Sequence, residues 1–83
     1  MKSMIIGRYI VADPKICHGK PTFRGTRIMV SDVLEQIEEG LAWESIIEGW
    51  HSSISKEAIA EALTLSRQAF LNHIEEFILE SAV

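Results

Sequence analysis

The spacing of apolar residues changes at residue 31, and this change limits the fold more than any other feature of the chain. Before it, "MIIGRYIVA" (residues 4–12) and "PTFRGTRIMV" (residues 21–30) are short runs rich in β-branched and aromatic side chains, separated by Asp13-Pro14 and a loop around Gly19. That is the pattern of strands joined by turns. After it, apolar residues recur every three or four positions, the helical period. Val33, Leu34 and Ile37 line a first helix, with Ser31 as its expected N-cap, Asp32 in its first turn and Gly40 just past its end. Trp43, Ile46, Ile47 and Trp50 form the apolar side of a short helix over 42–49. Ser55 caps a third helix, in which Ile59, Ala62, Leu63, Ser66, Phe70, His73, Ile74 and Phe77 share a face. Unbroken to about residue 80, that helix spans roughly 36 Å. Its far part, Phe70 to Ile78, then outruns any core the chain supplies.

Strict alternation along 21–30 sends Phe23 and Ile28 to opposite faces of a strand. A bulge at Gly25 returns them to one side, so Gly25 is expected to be a structural glycine in a hairpin strand. The fold class that follows is mostly α with an N-terminal β-hairpin, a three-helix domain of helix-turn-helix type. Its parts are a hairpin arm over 1–30, a helical core over 31–65 and an extended C-terminal helix over 66–83. With 83 residues, 47% of them hydrophobic, this is one domain.

Several chemistries are excluded by counting. The lone cysteine, Cys17, allows no internal disulfide and suits a reducing cytoplasm. No stretch approaches the roughly 20 apolar residues of a membrane span, and "MII" is too short for a signal peptide's apolar region. Cys17 and His18 are adjacent, but His51 and His73 stand alone, so the four spaced ligands of a structural zinc site are missing. "HGKPT" has Pro14 and Pro21 where a phosphate loop needs its leading glycine and its Ser or Thr. Glu38-Glu39 and Glu75-Glu76 are adjacent on helices and splay apart as solvated faces. No cofactor, metal or catalytic set is expected, and the chain reads as a non-enzyme.

Charge is divided along the sequence. Residues 1–30 hold six basic residues against Asp13 alone, net +5, and residues 31–83 hold two against eleven acids, net −9. The cations of the front stretch, Lys15, Lys20, Arg24 and Arg27, suit a phosphate-facing ribbon, and they equally suit ion pairs with the acidic helices. The second and third helices, joined by a short turn, have the layout of a helix-turn-helix. Its recognition end would present Ser52, Ser53, Ser55 and Lys56, with Glu57 and Glu61 close by. A plain helical bundle has the same spacing.

The run "DPKICHGKPTFRGTRIMVSDVLEQIEEGLAWESIIEGW", followed by "ISKEAIAEAL", closely resembles the domain of unknown function family 433. "GKP…RGTRI" carries the resemblance, which covers about residues 9–65. Its signature positions here are Lys20, Pro21, Arg24, Gly25, Thr26 and Arg27, with Gly19 and Gly40 as further structural glycines. The sequence departs from the pattern at Trp50-His51, where such proteins often have an aromatic followed by proline.

The resemblance implies a homeodomain-like helical part and an antitoxin similar to the VapB-like kind, partnered with a PIN-like ribonuclease toxin. Operator DNA is then expected at Arg24, Arg27, Ser53, Ser55 and Lys56. The nuclease is expected at the basic residues Lys20, Arg24 and Arg27, or at Phe70, Leu71, Ile74, Phe77, Ile78 and Leu79 of the last helix. The apolar arc of that helix also predicts a homodimer or higher homo-oligomer. The alternative is a protein-interaction module whose helices are scaffold and never touch DNA.

Overall fold

The computed structural model describes residues 4–80. The two strand-like runs yield three strands. The first run supplies both β1 (Met4–Ile5) and β2 (Ile10–Ala12), and the second supplies β3 (Pro21–Phe23). They form an antiparallel sheet in the order β1-β2-β3, with Ile5 opposite Val11 and Ile10 opposite Phe23. The single strand expected over 4–12 is therefore corrected. The N–H groups of Ile6 and Gly7 both donate to the Ile10 carbonyl, at 3.0 and 3.2 Å, and fold the run back on itself.

The strand expected over 21–30 is also shorter, and Gly25 lies in a turn instead of a bulge. The Thr26 N–H donates to the Phe23 carbonyl at 3.0 Å, and Gly25, third of the four residues, has φ +79°. A type II turn requires that left-handed conformation at its third position, and only glycine adopts it without steric cost. The Thr26 hydroxyl donates to the Phe23 carbonyl at 2.8 Å and accepts from the Ile28 N–H at 3.0 Å. The Phe23 N–H donates to the Ile28 carbonyl at 3.0 Å, and Thr22 bridges to Met29. Reversal of the chain, in place of a bulge, brings Phe23 and Ile28 to the same core.

Helix α1 (Val30–Glu38) starts one residue before its expected cap. Met29 is the N-cap, its carbonyl accepting from the Asp32 N–H at 3.1 Å, and Ser31 lies inside the first turn. The bridge to Thr22 holds Met29 extended, so the helix begins where that pairing stops. At the other end the N–H groups of Gly40 and Leu41 donate to the carbonyls of Ile37 (2.9 Å) and Gln36 (3.1 Å). That bond pair is a Schellman closure. Helix α2 (Trp43–Gly49) closes in the same way, through His51 N–H to Glu48 and Ser52 N–H to Ile47. His51 has φ +56° and Ser52 +59°. Proline, with φ locked near −65°, cannot occupy position 51 of this turn.

Helix α3 (Lys56–Asn72) begins under Ser55, whose Oγ accepts from the Ala58 N–H at 3.1 Å. Its end corrects the expectation of a helix to residue 80. After Asn72 the chain forms a 3-10 turn, Ile74–Phe77. Every residue from Ser66 to Glu80 is exposed, and helical turns without tertiary packing are marginal in water.

The core gathers Ile10 and Phe23 from the sheet, Val30 and Val33 from α1, Ile46 from α2, Ile54 from the turn, and Ala58, Ile59 and Ala62 from α3. Trp43, Ile47 and Trp50 pack half-buried around it, and Trp50 Nε1–H donates to Gln36 Oε1 at 2.8 Å, tying α2 to α1. The radius of gyration is 14.2 Å, against about 12 Å for a compact chain of this length; the protruding C-terminal segment accounts for the excess. Among the described residues no helix is long and apolar enough to cross a membrane.

Two stability outcomes follow. An added Cβ at Gly25 meets nothing within 4 Å, so any cost is conformational. Gly25→Ala is expected to destabilise by about 1 kcal/mol in urea unfolding, and β-branched Gly25→Val by more. Equal stability of all three chains contradicts the turn assignment. Thr22 is fully buried, and its hydroxyl has no hydrogen-bond partner among the described residues. Thr22→Val is expected to raise stability by about 1 kcal/mol, read as a melting temperature roughly 4–8 °C higher; a fall contradicts it.

Candidate functional site

Two stretches that lie about 30 residues apart in sequence meet across one open cleft of about 430 Å³. From the sheet side come Arg8 and Tyr9 of the β1–β2 turn, with Phe23 and Arg24. From the helical side come Ser52, Ser53, Ile54 and Ser55 of the α2–α3 turn, with Ala58. Phe23, Ile54 and Ala58 are buried and form the floor, and Arg8, Arg24, Ser52 and Ser53 are exposed at the rim.

The β1–β2 turn is held in place by α3. The Glu61 carboxylate accepts from the N–H of Arg8 through Oε2 and from the N–H of Tyr9 through Oε1, both at 2.8 Å. Gly7 makes this approach possible, since a Cβ there would stand 2.6 Å from Glu61 Oε1. Arg24 joins the two sheet turns. Its N–H donates to the Tyr9 carbonyl at 2.7 Å, and its Nη2 donates to the Gly7 carbonyl at 3.3 Å. The Arg8 guanidinium lies over the Tyr9 ring, 5.7 Å from its centroid, within cation–π range.

Among the described residues no Lys or Arg is ion-paired, and the one contact between a histidine and a carboxylate is His73 Nδ1 to Glu76 Oε1 at 3.9 Å, both largely exposed. Arg8, Lys15, Lys20, Arg24 and Arg27 therefore carry no ion pair there, although the chain holds twelve acids. Pairing of the front cations with the acidic helices, open to them on sequence grounds, does not occur within the described part of the chain. The first turn of α3, with its partial positive charge, stands beside the cleft. What the cleft offers is two guanidinium groups, three serine hydroxyls, the Tyr9 side chain and an apolar floor, a set suited to an anionic group carried on a flat or apolar partner.

Of the residues singled out from sequence, Arg24, Ser53 and Ser55 line the cleft, as does Ser52. Lys56 starts α3 and is exposed outside the lining, and so are Lys20 and Arg27. Thr26 and Gly25 build the turn that carries Arg24, and Gly19, at φ +81°, closes the 3-10 turn Cys17–Gly19 before β3. Pro21 opens β3. Cys17 Sγ donates to the Arg27 carbonyl at 3.5 Å, and His18 is exposed. Sequence analysis missed Arg8 and Tyr9. The available signal was Gly7, since an isolated glycine in a strand pattern marks a close approach of another group. Phe70, Leu71, Ile74, Phe77, Ile78 and Leu79 form a separate exposed apolar surface at the other end of α3.

Glu61→Ala leaves the Arg8 and Tyr9 amides without an acceptor and is expected to destabilise by about 1–3 kcal/mol. Glu61→Gln, which keeps one acceptor oxygen, is expected to lose less, and Gly7→Ala to lose stability by displacing the carboxylate. Urea unfolding of the three variants is the check; wild-type midpoints throughout contradict the anchoring role.

The family model described as protein of unknown function (DUF433) matches residues 10–65. No curated protein and no solved structure matches the chain. The match takes in Arg24, the α2–α3 turn and the first half of α3, and leaves Arg8 and the segment after Leu65 outside it. With more than half of its residues under that model, the chain belongs to the DUF433 family.

Proposed function

We propose that the chain is an antitoxin that binds operator DNA through the cleft and captures a PIN-like nuclease through its exposed C-terminal segment. The observation that carries this reading is the set of unpaired cations. Exposed basic side chains left without partners in an acidic chain favour a polyanion from outside. Arg8 and Arg24 stand beside Ser52, Ser53 and Ser55 at the start of α3. On this reading α2, its turn and α3 act as a helix-turn-helix, with the hydroxyls and Lys56 meeting the duplex and the guanidinium groups fixing phosphates on either side. The Glu61 charge works against a phosphate, but its oxygens are engaged by two N–H groups at the back of the β1–β2 turn.

The nuclease is assigned to Phe70, Leu71, Ile74, Phe77, Ile78 and Leu79, six apolar side chains that the domain's own core does not use. Phe70 and Phe77 are in contact, with ring centroids 5.2 Å apart, and exposed apolar side chains gathered on one segment suit a protein contact. A second reading keeps DNA out. It is favoured by the bond from Arg24 Nη2 to Gly7, which gives that arginine a structural task.

A salt titration against a duplex carrying the chain's own promoter separates the readings. Wild type is expected to lose affinity steeply with salt, and Arg8→Ala combined with Arg24→Ala to flatten the logarithmic slope by about 2, one per lost phosphate contact. An unchanged slope, or no binding at low salt, contradicts the DNA reading. For the nuclease, a chain ending at Ala69 is expected to fold and to fail in co-purification with the neighbouring nuclease. Capture by the truncated chain contradicts the assignment.

A further inference from the structure

A second, smaller groove of about 210 Å³ lies between the sheet side and α3, and none of the residues that line it is charged. Ile6, Ile10, Pro21 and Val30 form one wall, and Leu65 and Ala69 of α3 form the other. Ser66 contributes the one polar side chain, and its hydroxyl already donates to the Ala62 carbonyl at 2.8 Å. Small-molecule sites run to about 300–1,000 Å³ and carry several orienting polar groups. This groove is smaller and nearly all apolar, so its natural occupant is one or more apolar side chains.

Such side chains emerge from the same molecule. Immediately past Ala69 the chain exposes Phe70, Leu71, Ile74, Phe77, Ile78 and Leu79 by 46–100%. They do not reach their own groove. Phe70 stands about 100° round α3 from Ala69, and Phe77 packs on Phe70 with ring centroids 5.2 Å apart at a tilt of 51°. That contact holds the segment as a hook, turned roughly a quarter of the way round the helix from the groove. We infer that in the free protein the hook of one copy seats in the groove of a second, reciprocally about a two-fold axis.

Three features support the second copy as occupant. Each chain carries both halves of the contact, so a two-fold exchange covers both at once. Charge is complementary: the hook carries Glu75, Glu76 and Glu80, and Lys20 adjoins Pro21 of the groove wall. The area is adequate. One or two of the six side chains fill the groove and the others cover the surface around it, so that hook and groove together approach the ~800 Å² per partner of a standard interface. The inference concerns the free chain and rests on neither the DNA nor the nuclease reading.

Sedimentation velocity of the full chain tests it. Wild type is expected to run at twice the chain mass at 100 µM or below. Phe77→Asp combined with Ile78→Asp spoils the hook, and Ala69→Glu spoils the groove; each is expected to run as a monomer with unchanged helical circular dichroism. Ser66→Glu, on the same wall, is a second groove variant should Ala69→Glu lose helix. An equimolar mixture of hook and groove variants retains one intact hook–groove contact. It is expected to regain dimer with a Kd at least tenfold weaker than wild type. A monomeric wild type, a groove variant that dimerises like wild type, or a mixture that stays monomeric overturns the proposal. A groove variant that dimerises like wild type would indicate hook packed on hook.

Discussion

One carboxylate joins the two halves of this small fold. Glu61 projects from α3 and accepts from consecutive backbone N–H groups, Arg8 and Tyr9, across more than fifty residues of sequence. Bonds to a charged acceptor are stronger than neutral ones, and this pair fixes the β1–β2 turn against the helix. Arg24 then ties the next turn to the first through Tyr9 and Gly7. The cleft is the space left between these turns and the start of α3, so its width depends on Glu61 and on the absence of a side chain at Gly7. A sheet of three short strands has little rigidity by itself, and α3 supplies what it lacks.

The core explains where the fold stops. Its buried apolar residues end at Ala62 on α3, with Leu63 and Leu65 half-covered beyond. Past that point helix α3 has nothing to pack against, and at Asn72 it ends. The molecule therefore has two unlike ends: a basic one, where cations find no acid of their own chain among the described residues, and an apolar one, where large side chains find no core. The chemistry of the two ends differs. Anionic groups suit the first and apolar side chains suit the second.

Local chemistry was legible in the sequence and distant chemistry was not. Ser55 as a cap, Gly40 past the end of α1, and the apolar faces of α1 and α2 follow from neighbouring residues, and the structure has them. Ser31 misled because a bridge between Thr22 and Met29 starts the helix earlier, and no cap rule contains that bridge. Gly25 was recognised as a position needing glycine, but alternation suggested a bulge where the chain reverses. The third strand was missed because Gly7-Arg8 was read through as strand. The cleft itself was legible only in pieces: Arg24 and the serines stood out for separate reasons. That they face each other, with Arg8 between them, depends on Glu61, which in sequence was simply an acid near a recognition helix.

On the proposed reading, the β1–β2 turn, Arg24 and the start of α3 form a single anion-binding surface. The most direct measurement is a titration of the ¹⁵N-labelled chain with a promoter duplex, followed by amide chemical shifts at low salt. The account requires the amides of Arg8, Tyr9, Arg24 and Ser52 to Lys56 to move together, along one binding curve, while those on the acidic outer faces of α1 and α2 stay still. Shifts confined to the helical side, with Arg8 and Arg24 unmoved, would contradict it.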